Sequence, residues 1–140
     1  MTRMRYVVTG GTGFIGRRVV SQILALHDEA EVLVLVRRAS LARFEELAAE
    51  WGDRAKPLVG DLTSAGLGLA DLADLGPVDH VVHCAAIYDI TVDEKQQRAA
   101  NVEGTRSVIN FFVGTRLALA SAVNAWKATS SSTVPASARC

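Results

Sequence analysis

Short apolar runs alternate with longer amphipathic stretches along this chain. The run Tyr6-Val7-Val8 is apolar and largely β-branched, and it predicts a strand over Arg5–Thr9. From Phe14 to Leu26 the apolar positions take helical spacing, with Ile15, Val19, Ile23 and Leu24 expected on one face. Glu31–Val36 is almost continuously apolar, as a parallel strand buried on both faces would be. Leu41–Trp51 returns to helical spacing, with Ser40 placed to cap it. Further on, Pro57–Val59 predicts a third strand and Leu67–Leu75 a short helix stopped by Gly76-Pro77. A fourth strand is expected over His80–Cys84 and a last helix over about Glu94–Phe112.

Strands that alternate with helices imply an α/β fold with a doubly wound parallel sheet and helices on both faces. The expected strand order is 3-2-1-4.

The first strand-to-helix junction carries the clearest chemical signal. Gly10, Gly13 and Gly16 fall at three-residue spacing, and the same run also reads Gly11-x-Gly13-x-x-Gly16. A strand, a glycine turn and a helix in that order form a cradle for a dinucleotide pyrophosphate. Gly10 permits a sharp turn, Gly13 permits close approach of a phosphate, and Gly16 lets the helix pack against the sheet. Amides at the helix start, with the positive end of its dipole, favour the anion. The competing reading is a tight turn without a ligand.

Composition narrows the picture. The chain has 140 residues, enough for one domain with a real core, and 49% of them are hydrophobic. Fifteen basic residues balance fifteen acidic ones, so bulk charge recruits neither nucleic acid nor membrane. Two cysteines, Cys84 and Cys140, make no disulfide framework, and Cys84 reads as a small core residue. The first residues run directly into a strand, and no apolar run reaches the length of a membrane span. The expected location is cytoplasmic.

The end of the second strand bears on which dinucleotide binds. An acidic residue there would hold the ribose hydroxyls of NAD. Instead the strand ends in Arg37-Arg38, and no Asp or Glu follows until Glu45. Arg37 lies 21 residues after Gly16, and a guanidinium there can pair with a 2′-phosphate. NADP is therefore expected over NAD. The alternative is that both arginines are solvated loop charges.

Several segments together resemble the extended short-chain dehydrogenase/reductase family, whose fold is Rossmann-like. They are Thr9-Gly10-Gly11-Thr12-Gly13-Phe14-Ile15-Gly16, Gly60-Asp61-Leu62, His83-Cys84-Ala85-Ala86 and Asn101-Val102-Glu103-Gly104-Thr105. The stretch from Val82 to Asp89 looks most like the branch containing thioester and fatty-acyl reductases. The resemblance covers about residues 4–113 and implies a truncated Rossmann domain over 1–113. It implies that Gly10, Thr12, Gly13 and Gly16, with the Phe14 and Ile15 amides, hold the pyrophosphate. Asp61 and Leu62 would flank the adenine, Ala85 and Ala86 would line the cofactor, and Asn101 would support a proton relay. Each has a plainer reading: Asp61 can close a turn, Ala85-Ala86 can serve packing, and Asn101 can bond backbone within a helix. Tyr88 reads as a pocket aromatic, and His83 as a core or supporting residue.

One family feature is missing. Hydride transfer there uses a Tyr and a Lys four residues later. Lysines occur only at 56, 95 and 127, preceded at that spacing by Gly52, Thr91 and Val123. No catalytic residue is assigned. After Phe112 the text becomes rich in Ala, Ser and Thr, and residues 114–140 contain no acidic residue. This tail is expected to be disordered or read from a shifted frame. The expected function is the dinucleotide-binding part of an NADP-dependent reductase of a carbonyl or acyl thioester. A non-catalytic nucleotide-binding module and a sugar-nucleotide epimerase/dehydratase type stay open.

Overall fold

The computed structural model describes residues 3–69, 75–85, 91 and 93–115. Its elements are β1 (Arg5–Thr9), α1 (Phe14–Leu26), β2 (Glu31–Val36), α2 (Leu41–Trp51), β3 (Ala55–Val59), β4 (His80–His83) and α3 (Glu94–Arg98). A π turn, Ala99–Glu103, carries α3 into a further helix, α4, over 104–115. The strands form one parallel sheet in the order β3-β2-β1-β4. The order reverses between β1 and β4, which makes a crevice at their carboxyl ends.

Period-two alternation explains how β1 and β2 divide the core. Tyr6 and Val8, with Val32, Val34 and Val36, pack on one face with Val20 and Leu24 of α1 and Phe44 and Trp51 of α2. Val7, Leu33 and Leu35 face the other way, toward Val108 and Phe111 of α4. All six residues of β2 are buried, as a central parallel strand requires. β3 is an edge strand within the described residues and tolerates Lys56 and Pro57.

Polar groups tie these elements at their ends. Glu31, 2% exposed, accepts from Arg5 Nε at 2.9 Å and Lys56 Nζ at 2.7 Å, and Arg3 lies 3.3 Å away. Burial alone would raise the Glu31 carboxyl, but Lys56 and Arg5 outweigh that and hold it below its ordinary value. Arg54 donates to the Leu24 carbonyl in the last turn of α1 and to the carbonyls of His27 and Asp28 just beyond it. Trp51 Nε1 donates to Ser21 Oγ at 3.0 Å, which holds α2 to α1.

Several expectations change. The buried line of α1 is Gly16, Val20 and Leu24, while Ile15 is 67% exposed. The close contact of Gly16 with the preceding loop sets that rotation. Ser40 sits at the start of α2 without a side-chain capping bond. β3 begins at Ala55, because pairing with Val32 extends it. β4 ends at His83, which leaves Cys84 just beyond it and half-buried. The helix expected from Leu67 does not start there. A 3-10 turn spans Ala65–Gly68, with Gly66, Leu67 and Gly68 all at positive φ. Leu67 is nonetheless fully buried, and its carbonyl accepts from Asp61 N–H at 2.7 Å. The last helix contains the π turn and is helical through residue 115. Residues 116–140, Ala86 and Tyr88 lie outside the described residues.

Candidate dinucleotide site

A cleft of about 420 Å³ opens at the carboxyl ends of the strands. Its floor is built where the loops after β1 and β4 touch. Gly10 has φ +68°, and a Cβ there would fall 2.6 Å from Ala85 N. No side chain fits between the two loops. A Cβ on Gly16 would fall 1.9 Å from the Gly10 carbonyl oxygen, so α1 rests directly on the loop backbone. The third glycine thus serves helix-to-loop contact rather than helix-to-sheet contact. Gly11 also has a packing role, since a Cβ there would meet Val34 Cγ1 at 2.6 Å.

The start of α1 is chemically open. Gly13 occupies its N-cap, no side chain caps it, and no acidic residue lies in its first turn. Gly13 N–H turns back to Gly10 O at 3.1 Å. The amides of Phe14, Ile15 and Gly16 precede the first intrahelical donor and have no helical acceptor. Phe14 is 70% exposed, and Arg17 and Arg18 both lie against its ring. An anion is the ligand such a helix start favours.

Arg37 lines the cleft from the end of β2, and Asp61 lines it from the end of β3. Asp61 Oδ1 accepts from Thr63 N–H at 2.8 Å and from Thr63 Oγ1 at 2.7 Å. These bonds hold its carboxyl below the ordinary range, and the charge of Arg37 adds to the effect. Asp61 therefore does close a turn while also facing the cleft. Leu62 lines the cleft beside it.

The structure separates the expected residues. Gly10, Thr12, Gly13, Arg37, Asp61, Leu62 and Ala85 line the one cleft. Gly16 lies behind it, and Arg38 stands exposed in the 3-10 turn Arg38–Ser40 without lining it. Asn101 lies in the π turn, away from the cleft lining, and its carbonyl accepts from Thr105 Oγ1 at 2.6 Å. Sequence reasoning missed Ser40 and Thr63 as lining residues, and it missed Arg43. Arg43 Nε donates to the Thr12 carbonyl at 3.2 Å and brings a second guanidinium to the glycine loop. Arg43 lies in the first turn of α2, and no sequence signal marks it, because its contact with Thr12 crosses from one element to another.

Side chains at Gly10 or Gly16 would strike the backbone of Ala85 and of Gly10, so the loop is compatible with a dinucleotide cradle and equally requires these glycines for its own packing. The comparisons agree with this class of protein. The model of the Male sterility protein family, an NAD-binding family, matches residues 8–135. This chain belongs to that family, within the extended short-chain dehydrogenases/reductases.

Among relatives, the nonribosomal peptide synthetase phqB of Penicillium fellutanum is 33% identical over 129 residues, covering 75% of this chain and 5% of that protein. The solved reductase domain of the same protein superposes with TM-score 0.61 at 34% identity, over 79% of this chain and 33% of that one. The terminal R domain of the myxalamid PKS-NRPS pathway gives TM-score 0.70 at 25% identity, over 82% of this chain and 33% of its own. Gre2 of Candida albicans, solved with NADPH, gives 0.67 at 26% identity, over 80% and 33%. The chain therefore spans about a third of these solved proteins. Among the described residues no helix is long and apolar enough to cross a membrane.

Proposed function

We propose that this chain binds NADP(H) as the dinucleotide-holding part of a reductase acting on a carbonyl or acyl thioester. The observation that carries the choice of NADP is Arg37 at the cleft where β2 ends, with no carboxylate beside it on that loop. In this reading the pyrophosphate lies on the amides of Phe14, Ile15 and Gly16, with Gly10, Thr12 and Gly13 beneath it. Arg37 pairs with the 2′-phosphate, and Arg43 adds a second positive charge. Asp61 and Leu62 flank the adenine, the carboxylate accepting from its amino group. Ala85 and Ala86 border the nicotinamide end. A bound nicotinamide supplies the hydride.

The acyl-thioester class is supported by the reductase domain of phqB and the terminal R domain of the myxalamid pathway. Within these 140 residues there is no Tyr-x-x-x-Lys pair to move the accompanying proton. The reading therefore assigns binding, not turnover, to this polypeptide, with a small-molecule substrate as the partner of a longer chain and a cytoplasmic location. A titration of the 140-residue chain with NADPH and NADH tests it. NADPH should bind tighter by about tenfold or more, the worth of a charge-assisted pair. Equal affinities, or tighter NADH, would overturn the choice of NADP. Arg37→Ala should erase the preference by weakening NADPH alone.

A further inference from the structure

A chain of hydrogen bonds runs from the cleft floor to the π turn. Ala85 N–H donates to Thr9 Oγ1 at 3.3 Å, and Thr9 Oγ1 lies 2.6 Å from His83 Nδ1. On the far side of the ring, His83 Nε2 lies 3.0 Å from Thr105 Oγ1. Thr105 Oγ1 in turn donates to the Asn101 carbonyl at 2.6 Å. Thr9 is fully buried, and the ring is half-buried.

The donors and acceptors can be placed by counting protons. A hydroxyl has one proton, and that of Thr105 is committed to a carbonyl that can only accept. Thr105 Oγ1 must then accept from His83, so Nε2 carries the ring proton. Burial pushes the imidazolium form down and keeps the ring neutral, so Nδ1 is an acceptor. The Thr9 hydroxyl donates to it, which leaves the Thr9 lone pairs for Ala85 N–H. A single tautomer satisfies every bond.

We propose that His83 is a positioning residue for the dinucleotide cleft: as the Nε2–H tautomer it orients the Thr9 hydroxyl toward itself and thereby fixes the Ala85 amide against Gly10. This rests on the dinucleotide-binding reading above. The Ala85 amide is the backbone group that a Cβ on Gly10 would strike, so its place sets the wall between the β1 and β4 loops. The other half of the ring anchors the same wall to α4 through Thr105. His83 touches no ligand in this account; it acts through Thr9 and Ala85.

Two substitutions split the ring into its halves. His83→Asn keeps an acceptor near the place of Nδ1, and His83→Gln keeps a donor near the place of Nε2. Each is titrated with NADPH in the 140-residue chain, with thermal melting in parallel. His83→Gln should weaken binding about fivefold, the worth of one hydrogen bond, and His83→Asn should recover most of that loss at a similar melting temperature. Equal binding by both variants and the unsubstituted chain would overturn the role while leaving the dinucleotide reading intact. Losses that follow melting temperature in both variants would also overturn it. Absence of NADPH binding by the unsubstituted chain would overturn both readings. The ring ¹⁵N signals of the unsubstituted chain give a test independent of variant folding. An Nε2–H pattern at neutral pH is expected, and an Nδ1–H or doubly protonated ring would refute the assignment.

Discussion

Replacing Gly16 by alanine tests how the cradle is built. Elsewhere in a helix the change stabilises, by about 0.8–1.0 kcal/mol from propensity. Here the new Cβ would lie 1.9 Å from Gly10 O, 2.6 Å from Gly10 C and 2.9 Å from Gly11 Cα. All three are backbone atoms, so no side chain can swing aside. Bringing the closest contact to 3.0 Å requires α1 and the loop to part by about 1.1 Å. Overpacking of this kind costs about 1–3 kcal/mol or more, which exceeds the propensity gain. A net loss of about 2 kcal/mol lowers the urea midpoint by roughly 1 M for a domain of this size.

On the proposed reading, the same displacement would move the Phe14, Ile15 and Gly16 amides away from the pyrophosphate. Losing two charge-assisted bonds weakens NADPH by about 100-fold. Gly13→Ala is the contrasting case. Its Cβ meets only Gly10 O, at 3.3 Å, so stability should change by about 0.5 kcal/mol or less while affinity falls. Urea unfolding and NADPH titration of both variants decide the matter. A Gly16→Ala chain that is as stable as the parent, with unchanged affinity, would refute the reasoning.

Glu31→Gln should destabilise the fold by about 2 kcal/mol, below the roughly 3–5 kcal/mol for breaking a fully buried ion pair, because Lys56 and Arg3 can return to water and only Arg5 is left largely enclosed. The Glu31 carboxyl is held below its ordinary value of 4.5, so its contribution is present above that pH and lost as pH falls through the folded value. Acid unfolding of the Gln variant should therefore show a shallower dependence in that range. His83 works in a different window. Its pKa is held below 6.5, so as pH drops through 6.5 the unfolded chain takes up a proton that the fold resists. Urea midpoints should fall with pH below 6.5, and the part of that slope due to His83 should vanish in His83→Asn.

The elements most legible in the sequence were those whose pattern reflects one environment. β1, α1, β2 and α2 have their expected bounds because continuous apolar runs and helical spacing each had a single physical solution. The helix expected from Leu67 did not start there because Gly66, Leu67 and Gly68 take three successive positive φ values, which turn the chain out of the helical region. Within α1 the apolar spacing pointed to Ile15, but the face is set by where a missing side chain lets the helix settle, and that is Gly16. The glycine loop was readable because it follows directly on a strand, whereas the place of Asp61 in the cleft came from the family resemblance of Gly60-Asp61-Leu62. Spacing from Gly16 singled out Arg37, which lines the cleft, whereas Arg38, expected beside it, is turned away in the 3-10 turn. Arg43 reaches the loop from another element, and only tertiary packing brings it to Thr12.

β2 is the wall shared by two hydrophobic compartments, with valines toward one and leucines toward the other. Neither compartment can loosen by shifting this strand without opening its neighbour. Disturbing Leu33 is then felt by α1 and α2 as well as by α4, although no atom of α1 or α2 need touch it. The two halves of the sheet are thereby joined into one cooperative unit, and the β2 amides should be among the last to exchange with solvent.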